Sequence, residues 1–238
     1  MIPLRHPIAR ALALIAFVVV TQSADAQPSI TDTRLLAQPA LSATHVAFVY
    51  AGDLWTARLD GADVRRLTTA DGDEQNPVFS PDGRLIAFSA NYDGNTDVYV
   101  VPVAGGVPKR LTWHPGDDIV QDFSPDGKSV LFTSGRESYT NRYTQLFTVP
   151  VDGGVETRLP IPNAARASWS PDGRRIAYNP ISPRFEEWKH YRGGTASQIW
   201  LYDVASHAVE KIPQPEGRSN DVDAQWIGAT VYFRSDRD

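Results

Sequence analysis

Oxygen-bearing side chains alternate at Asn91, Asp93, Asn95 and Asp97 around Gly94, a spacing found in loops that ligate calcium. The distal bidentate glutamate of such a loop is missing, so the segment reads as a polar hairpin, and no metal or other cofactor is expected. The five histidines form no short-spaced ligand pair. Ser138 or Ser168 would need His114 to make a nucleophile–base dyad, and nothing in their spacing brings them together. There is no Gly-x-Ser-x-Gly elbow, His-Glu-x-x-His helix or phosphate-binding glycine loop, so no catalytic residue is expected in this chain. Molecular contact has better material. Residues 135–144 carry Arg136, Tyr139, Arg142 and Tyr143. Residues 180–197 carry Arg184, Phe185, Trp188, Lys189, His190, Tyr191 and Arg192, with Glu186 and Glu187 as counter-charges. Arginine mixed with aromatics suits a surface for a peptide or partner domain. The same side chains can instead fold back, with arginine over aromatic faces. Both readings stay open.

The elements that must carry these loops are legible in a tetrapeptide that recurs as Ser80-Pro81-Asp82-Gly83, Ser124-Pro125-Asp126-Gly127 and Ser170-Pro171-Asp172-Gly173. Proline presets φ, aspartate favours the next turn position, and glycine accepts φ > 0, which together specify a hairpin with a glycine bulge. The three carboxylates are therefore turn formers. An aromatic residue precedes each turn (Phe79, Phe123, Trp169), and β-type runs follow at regular offsets. A degenerate copy lies upstream at Val46-Ala47-Phe48, Asp53-Leu54-Trp55 and Arg66-Leu67-Thr68. A partial one begins at Ala224-Gln225-Trp226. Copies 44 and 46 residues apart that contain only strand signals predict an all-β propeller of four-stranded antiparallel blades. The blades are expected near residues 34–69, 70–113, 114–160 and 161–213, with an incomplete fifth at 214–238. Phe79, Phe123, Trp169 and Trp226 recur at one blade position and are expected to pack neighbouring blades together. The incomplete ring leads us to expect a fragment of something longer.

Residues 1–26 read as a secretory signal. Arg5, His6 and Arg10 precede ten apolar residues from Ala11 to Val20, and Ala24-Asp25-Ala26 forms a small-x-small cleavage site. The propeller then occupies 27–238, exported to the periplasm or beyond, with no membrane attachment once the signal is removed. The formal charge of −5 argues against a nucleic-acid partner. There is no cysteine, so packing alone must stabilise the fold.

The phrase FSPDGRLIAFSANYDGNTDVYVVPVAGG resembles the propeller repeat shared by TolB-type proteins, dipeptidyl-peptidase-type propellers and tricorn proteases. Trp188-Lys189-His190-Tyr191-Arg192-Gly193-Gly194-Thr195, followed by Ile199-Trp200, is similar to a segment of the first, six-bladed propeller of tricorn-type serine peptidases. The likeness runs from about Leu41 to the C-terminus. It implies a second propeller, a PDZ-like module and a catalytic serine domain, none of them within these residues. It also implies a role in lining or gating peptide passage and docking on the peptidase domains, with activity absent from this chain alone and oligomers possible in the full-length parent. Trp188, Lys189, Tyr191, Arg192, Gly193, Gly194 and Thr195 would shape the docking loop, with Arg136 and Arg142 beside it. The family's longer, basic link before the third such turn, suited to a peptide carboxylate, is replaced here by a short acidic one with Asp117 and Asp118. A stand-alone periplasmic TolB-like binding module is the alternative.

Overall fold

The computed structural model describes residues 36–140, 142–182, 191–216 and 219–237. The expected signal at residues 1–26 and the docking-loop residues Trp188 and Lys189 lie outside them. All regular elements among the described residues are strands. The first sheet holds β1 (Leu36–Leu41), β2 (His45–Tyr50), β3 (Asp53–Arg58) and β4 (Arg65–Arg66). The second holds β5 (Glu74–Phe79), β6 (Leu85–Ala90), β7 (Asp97–Pro102) and β8 (Lys109–Arg110). The third holds β9 (Asp118–Phe123), β10 (Ser129–Ser134), β11 (Gln145–Pro150) and β12 (Thr157–Arg158). The fourth holds β13 (Arg166–Trp169), β14 (Arg175–Asn179), β15 (Trp200–Asp203) and β16 (Val209–Lys211). Each is a simple antiparallel meander, and β17 (Asp221–Ile227) pairs with β18 (Thr230–Ser235) in a two-stranded fifth sheet. The chain is a β-propeller of four-stranded blades with a partial fifth, as the repeat predicts.

The Ser-Pro-Asp-Gly turns owe their uniformity to a fixed set of hydrogen bonds. The Gly83 amide donates to the Ser80 carbonyl at 2.8 Å, and the Ser80 amide to Leu85 O at 2.9 Å. The Ser80 hydroxyl donates to Asp82 Oδ1 at 2.6 Å and accepts from the Leu85 amide at 2.9 Å. The Arg84 amide closes the turn on Asp82 Oδ1 at 3.0 Å. The Ser80 hydroxyl and Arg84 amide hold the Asp82 carboxyl below its ordinary range, and the same causes act at Asp126 and Asp172. Gly83, Gly127 and Gly173 take φ of 68°, 70° and 70°, the left-handed region that makes the bulge. A Cβ on Gly127 would meet only Pro81 Cδ, at 3.6 Å, so space is not the obstacle. Gly127→Ala is expected to cost about 1–2 kcal/mol through backbone conformation alone. Thermal denaturation should show a fall of a few degrees, and an unchanged midpoint would contradict the turn assignment.

The outer strands are shorter than the Arg-Leu-Thr pattern suggests. The ladder stops at Arg110 because Leu111 turns into the core, fully buried, and Thr112 Oγ1 accepts the Val98 amide at 3.0 Å. Thr68 does the same for Leu54 at 2.9 Å. In the fourth sheet the third strand begins at Trp200, two residues later than the pattern's Gln198.

The core lies between sheets. Ala47 and Leu54 meet Ile86, Phe88 and Tyr99. Ala87 and Val98 meet Phe123, Val130, Phe132 and Phe147. Leu131 and Leu146 meet Ile176, Tyr178 and Tyr202. Phe79, Trp169 and Trp226 pack at the edges of successive clusters and Phe123 inside one, so the recurrent aromatic does join blades.

Candidate functional site

The first strand of each sheet, β1, β5, β9, β13 and β17, faces a shared cavity of about 820 Å³. A strand in that position has one backbone edge paired with its hairpin partner and the other turned away from it. Side chains from the neighbouring sheet cap much of that second edge. The Asn76 amide donates to Gln38 Oε1, and Asn76 Nδ2 donates to Val120 O at 3.3 Å. The Ala167 amide reaches Gln121 Oε1 at 3.3 Å, the Trp169 amide reaches Asp122 Oδ2 at 2.8 Å, and the Trp226 amide reaches Ser168 Oγ at 3.3 Å. The cavity wall is therefore laced from blade to blade by polar side chains.

Its two ends differ. On the hairpin side the lining is Leu41, Pro81, Pro125, Pro171 and Ile227, an apolar rim with one residue per blade. Towards the other end the strands present Gln38, Asn76, Arg166 and Asp223. Gln38, Asn76 and Asp223 sit at β-bulges with φ of 51°, 52° and 55°, a conformation non-glycine residues seldom adopt.

Asp122 is the titratable group that this wall perturbs most. Burial pushes its carboxyl up to about 6, against the lowering pull of hydrogen bonds from the Trp169 and Phe123 amides and the Ser168 hydroxyl. Its folded value lies above the unfolded one, so its contribution is most stabilising below about pH 4 and is lost as pH rises through 6. Asp122→Asn should therefore flatten the fall in melting temperature between about pH 4 and 7. Parallel slopes for the two proteins in that window would contradict the assignment.

On the face opposite the hairpins, the structure separates the residues expected to dock a partner. Arg136 turns inward. It donates from Nη2 to the fully buried Asp118 at 2.5 Å, pairs with Glu156 at 3.3 Å, and stacks 5.2 Å and 5.0 Å from the rings of Phe132 and Phe147. Of the two roles open to it, the folded-back cation–π arrangement is the one observed. Arg142 is exposed beside Tyr143, and Tyr139 is fully exposed at the same loop. Tyr191 lies over Gly193, where a Cβ would clash with its hydroxyl, and that hydroxyl accepts from Thr195 Oγ1 at 2.8 Å. Arg192 donates to Asp236 at 2.5 Å. Asn220 links the two, giving Nδ2 to Tyr191 O at 2.8 Å and its amide to Asp236 Oδ1 at 2.7 Å. Burial would raise the Asp236 carboxyl, but the Asn220 and Arg192 hydrogen bonds prevail and hold it at about 2. Gly194 is open to solvent on its Cβ side. Segment 191–195 is thus anchored to the fifth sheet, apart from Arg136.

Other candidates resolve into structure. Asp97 is fully buried and pairs with Arg110 at 2.6 Å, while Asp93 takes the other guanidinium nitrogen at 2.7 Å. Asn95 bonds Asp97 and His114 O. The oxygen-rich loop is committed to Arg110, and among the described residues no cluster of three metal-ligating side chains exists. The Ser138 hydroxyl donates to Thr140 O at 2.9 Å and His114 Nδ1 accepts from the Gly116 amide at 2.9 Å, so neither is arranged as a dyad. Sequence reasoning passed over a second repeat, Phe132-x-Ser134-x-Arg136 and Phe233-x-Ser235-x-Arg237. Arg237 bonds the fully buried Asp221 at 2.6 Å and stacks 4.9 Å from Phe233, as Arg136 does with Asp118.

With the geometry in view, residues 33–238 match the family model described as the tricorn protease N-terminal beta propeller domain. Tricorn protease homolog 1 of Streptomyces coelicolor is 32% identical over 194 residues, covering 81% of this chain and 18% of that protein. The tricorn protease homolog of Saccharolobus solfataricus is 24% identical over 202 residues, covering 81% and 18%. Among solved structures, the tricorn protease superposes with a TM-score of 0.69 and 28% identity, over 84% of this chain and 20% of that one. A TolB-like protein of Agrobacterium tumefaciens gives 0.67 and 26%, over 84% and 70%. The chain spans less than a fifth of the length of the curated relatives it matches.

Proposed function

This chain belongs to the tricorn protease N-terminal β-propeller family, and on that premise we propose that it serves an exported serine peptidase as its peptide-passage propeller. Short peptides travel through the cavity lined by the first strands, and the loop face holds the peptidase domains. The observation that carries this reading is the cavity itself. It is large enough for an extended chain, its polar wall is hydrogen-bonded within the protein, and it runs from a polar end to an apolar rim. A conduit needs a wall that neither collapses nor offers long free strand edges, because a free edge would pair with the passing chain. The interblade lacing meets that need. Arg142 and the anchored segment Tyr191–Thr195 belong on this reading to the docking face, while Arg136 supports it from beneath. Titration of the isotopically labelled chain with short unstructured peptides should shift resonances of Gln121, Ser168 and Gln225 at weak, fast-exchanging affinity. Shifts confined to residues 139–143 and 191–195 would replace passage with surface docking.

One observation favours a second reading, a free-standing propeller of TolB type that binds protein partners. A TolB-like protein superposes on this chain about as well as the tricorn protease does, with TM-scores of 0.67 and 0.69. On that reading peptides leave the cavity resonances untouched.

A further inference from the structure

We propose that Gln38, Asn76, Arg166 and Gln225 form a ring that binds the main chain of an extended peptide, recognising amide groups rather than side chains. The proposal rests on the passage reading and specifies its chemistry.

Three observations lead to it. First, these side chains keep unused hydrogen-bonding atoms on the cavity wall. Gln38 spends Oε1 on the Asn76 amide and Asn76 spends Nδ2 on Val120 O. That leaves Gln38 Nε2 as a donor and Asn76 Oδ1 as an acceptor, with both ends of Gln225 unengaged among the described residues. Arg166 meets Asp223 only through Nε, at 3.5 Å, so its two Nη groups remain as donors. Gln121, by contrast, is consumed at both ends by Ile119, Thr133 and Ala167.

Second, the ring holds one guanidinium in excess, because Asp223, 3.5 Å from Arg166, is already paired with Arg234 at 2.6 Å. A carboxamide repeats the donor and acceptor of a peptide group, so three of them suit a passing amide backbone, and the guanidinium adds donors for its carbonyls.

Third, the backbone is held in an uncommon conformation to place these groups. Gln38, Asn76 and Asp223, the carboxylate beside Arg166, all occupy left-handed bulge positions, where asparagine and aspartate are tolerated better than most residues and glutamine is rarer. Such conformations gather where function demands them. The six-residue strands β1, β5 and β9 that line the wall extend about 20 Å, so a transiting peptide of about six residues is in contact at once.

The test uses the full chain and a capped, fluorescent, uncharged Gly–Ser peptide of about ten residues, long enough to pass through the strands. Anisotropy should detect weak binding. The matched peptide built from N-methylglycine and Ser, which lacks half its amide donors, should bind about tenfold more weakly. Gln225→Leu should weaken the parent peptide several-fold with an unchanged melting temperature, while a capped Lys-containing peptide should bind no better than the parent. Equal binding of the N-methylated peptide, or full affinity of Gln225→Leu, would overturn the ring while leaving passage intact. No binding of any peptide would overturn both.

Discussion

Arg136→Ala is expected to lower the melting temperature by about 10 °C. The guanidinium closes a buried clamp. Asp118 is fully buried at the start of β9, and its Oδ2 depends on Arg136 at 2.5 Å, while its Oδ1 has no hydrogen-bond partner among the described residues. Removing one member of a buried ion pair strands the other, at about 3–5 kcal/mol. For a chain of this size each kcal/mol moves the midpoint by about 2–4 °C. The stacking on Phe132 and Phe147 is lost as well. Arg136→Lys should fall between, since a lysine keeps the charge but neither the planar fork nor the stack. The double change Asp118→Leu with Arg136→Met should recover much of the loss, because it leaves no unpaired charge. A single variant that melts with the parent would show that Asp118 does not need the clamp. It would also return Arg136 to the surface role that the loop composition suggested.

The second large effect is expected at Asp221, which organises the fifth sheet. Its Oδ1 accepts from the hydroxyls of Ser219 at 2.9 Å and Ser235 at 2.6 Å. Its Oδ2 accepts from Gln214 Nε2 at 3.1 Å and Arg237 Nη2 at 2.6 Å. Asp221→Ala leaves four donors, one of them the Arg237 cation, without the fully buried carboxylate that they share. The cost should again be about 3–5 kcal/mol. Because β17 also packs on β13 and β14, the damage should spread. Hydrogen exchange should accelerate through β17 and β18 and at Asn220, which ties segment 191–195 to the same sheet. Asp221→Asn, which keeps the shape and two acceptor sites, should lose less. If exchange rose uniformly over all five sheets, the fifth would not be a separate unit and the hub assignment would be wrong.

Much of this architecture is local and therefore legible in the sequence. Ser-Pro-Asp-Gly encodes its own hairpin through contacts no more than five residues apart, so three copies at near-constant spacing set the blade pattern. The recurrent aromatic before the turn is readable for the same reason. β1 is harder, since Gln38-Pro39 interrupts its alternation with a bulge and a residue that donates no hydrogen bond. The Arg136 clamp is half legible. Phe-x-Ser-x-Arg occurs twice, but the buried aspartate it serves lies on another strand, and arginine beside tyrosine looks like surface until the fold turns it inward. The cavity lacing was the least accessible. Its partners, Gln38 with Asn76, Asp122 with Trp169 and Ser168 with Trp226, are about one repeat apart. Bulges shift the register by a residue in some blades and not in others, so counting along the repeat does not recover the pairs.

The absence of cysteine allows the central claim, passage of peptides through the cavity, to be tested by single thiols. Ser168→Cys places a thiol on the cavity wall, and Arg142→Cys places one on the loop surface. Alkylation by a small maleimide is timed with and without saturating short peptide. Passage predicts that peptide slows labelling at position 168 several-fold and leaves position 142 unchanged. Equal rates at 168 with and without peptide, alongside protection at 142, would contradict passage and move peptide recognition to the outer surface.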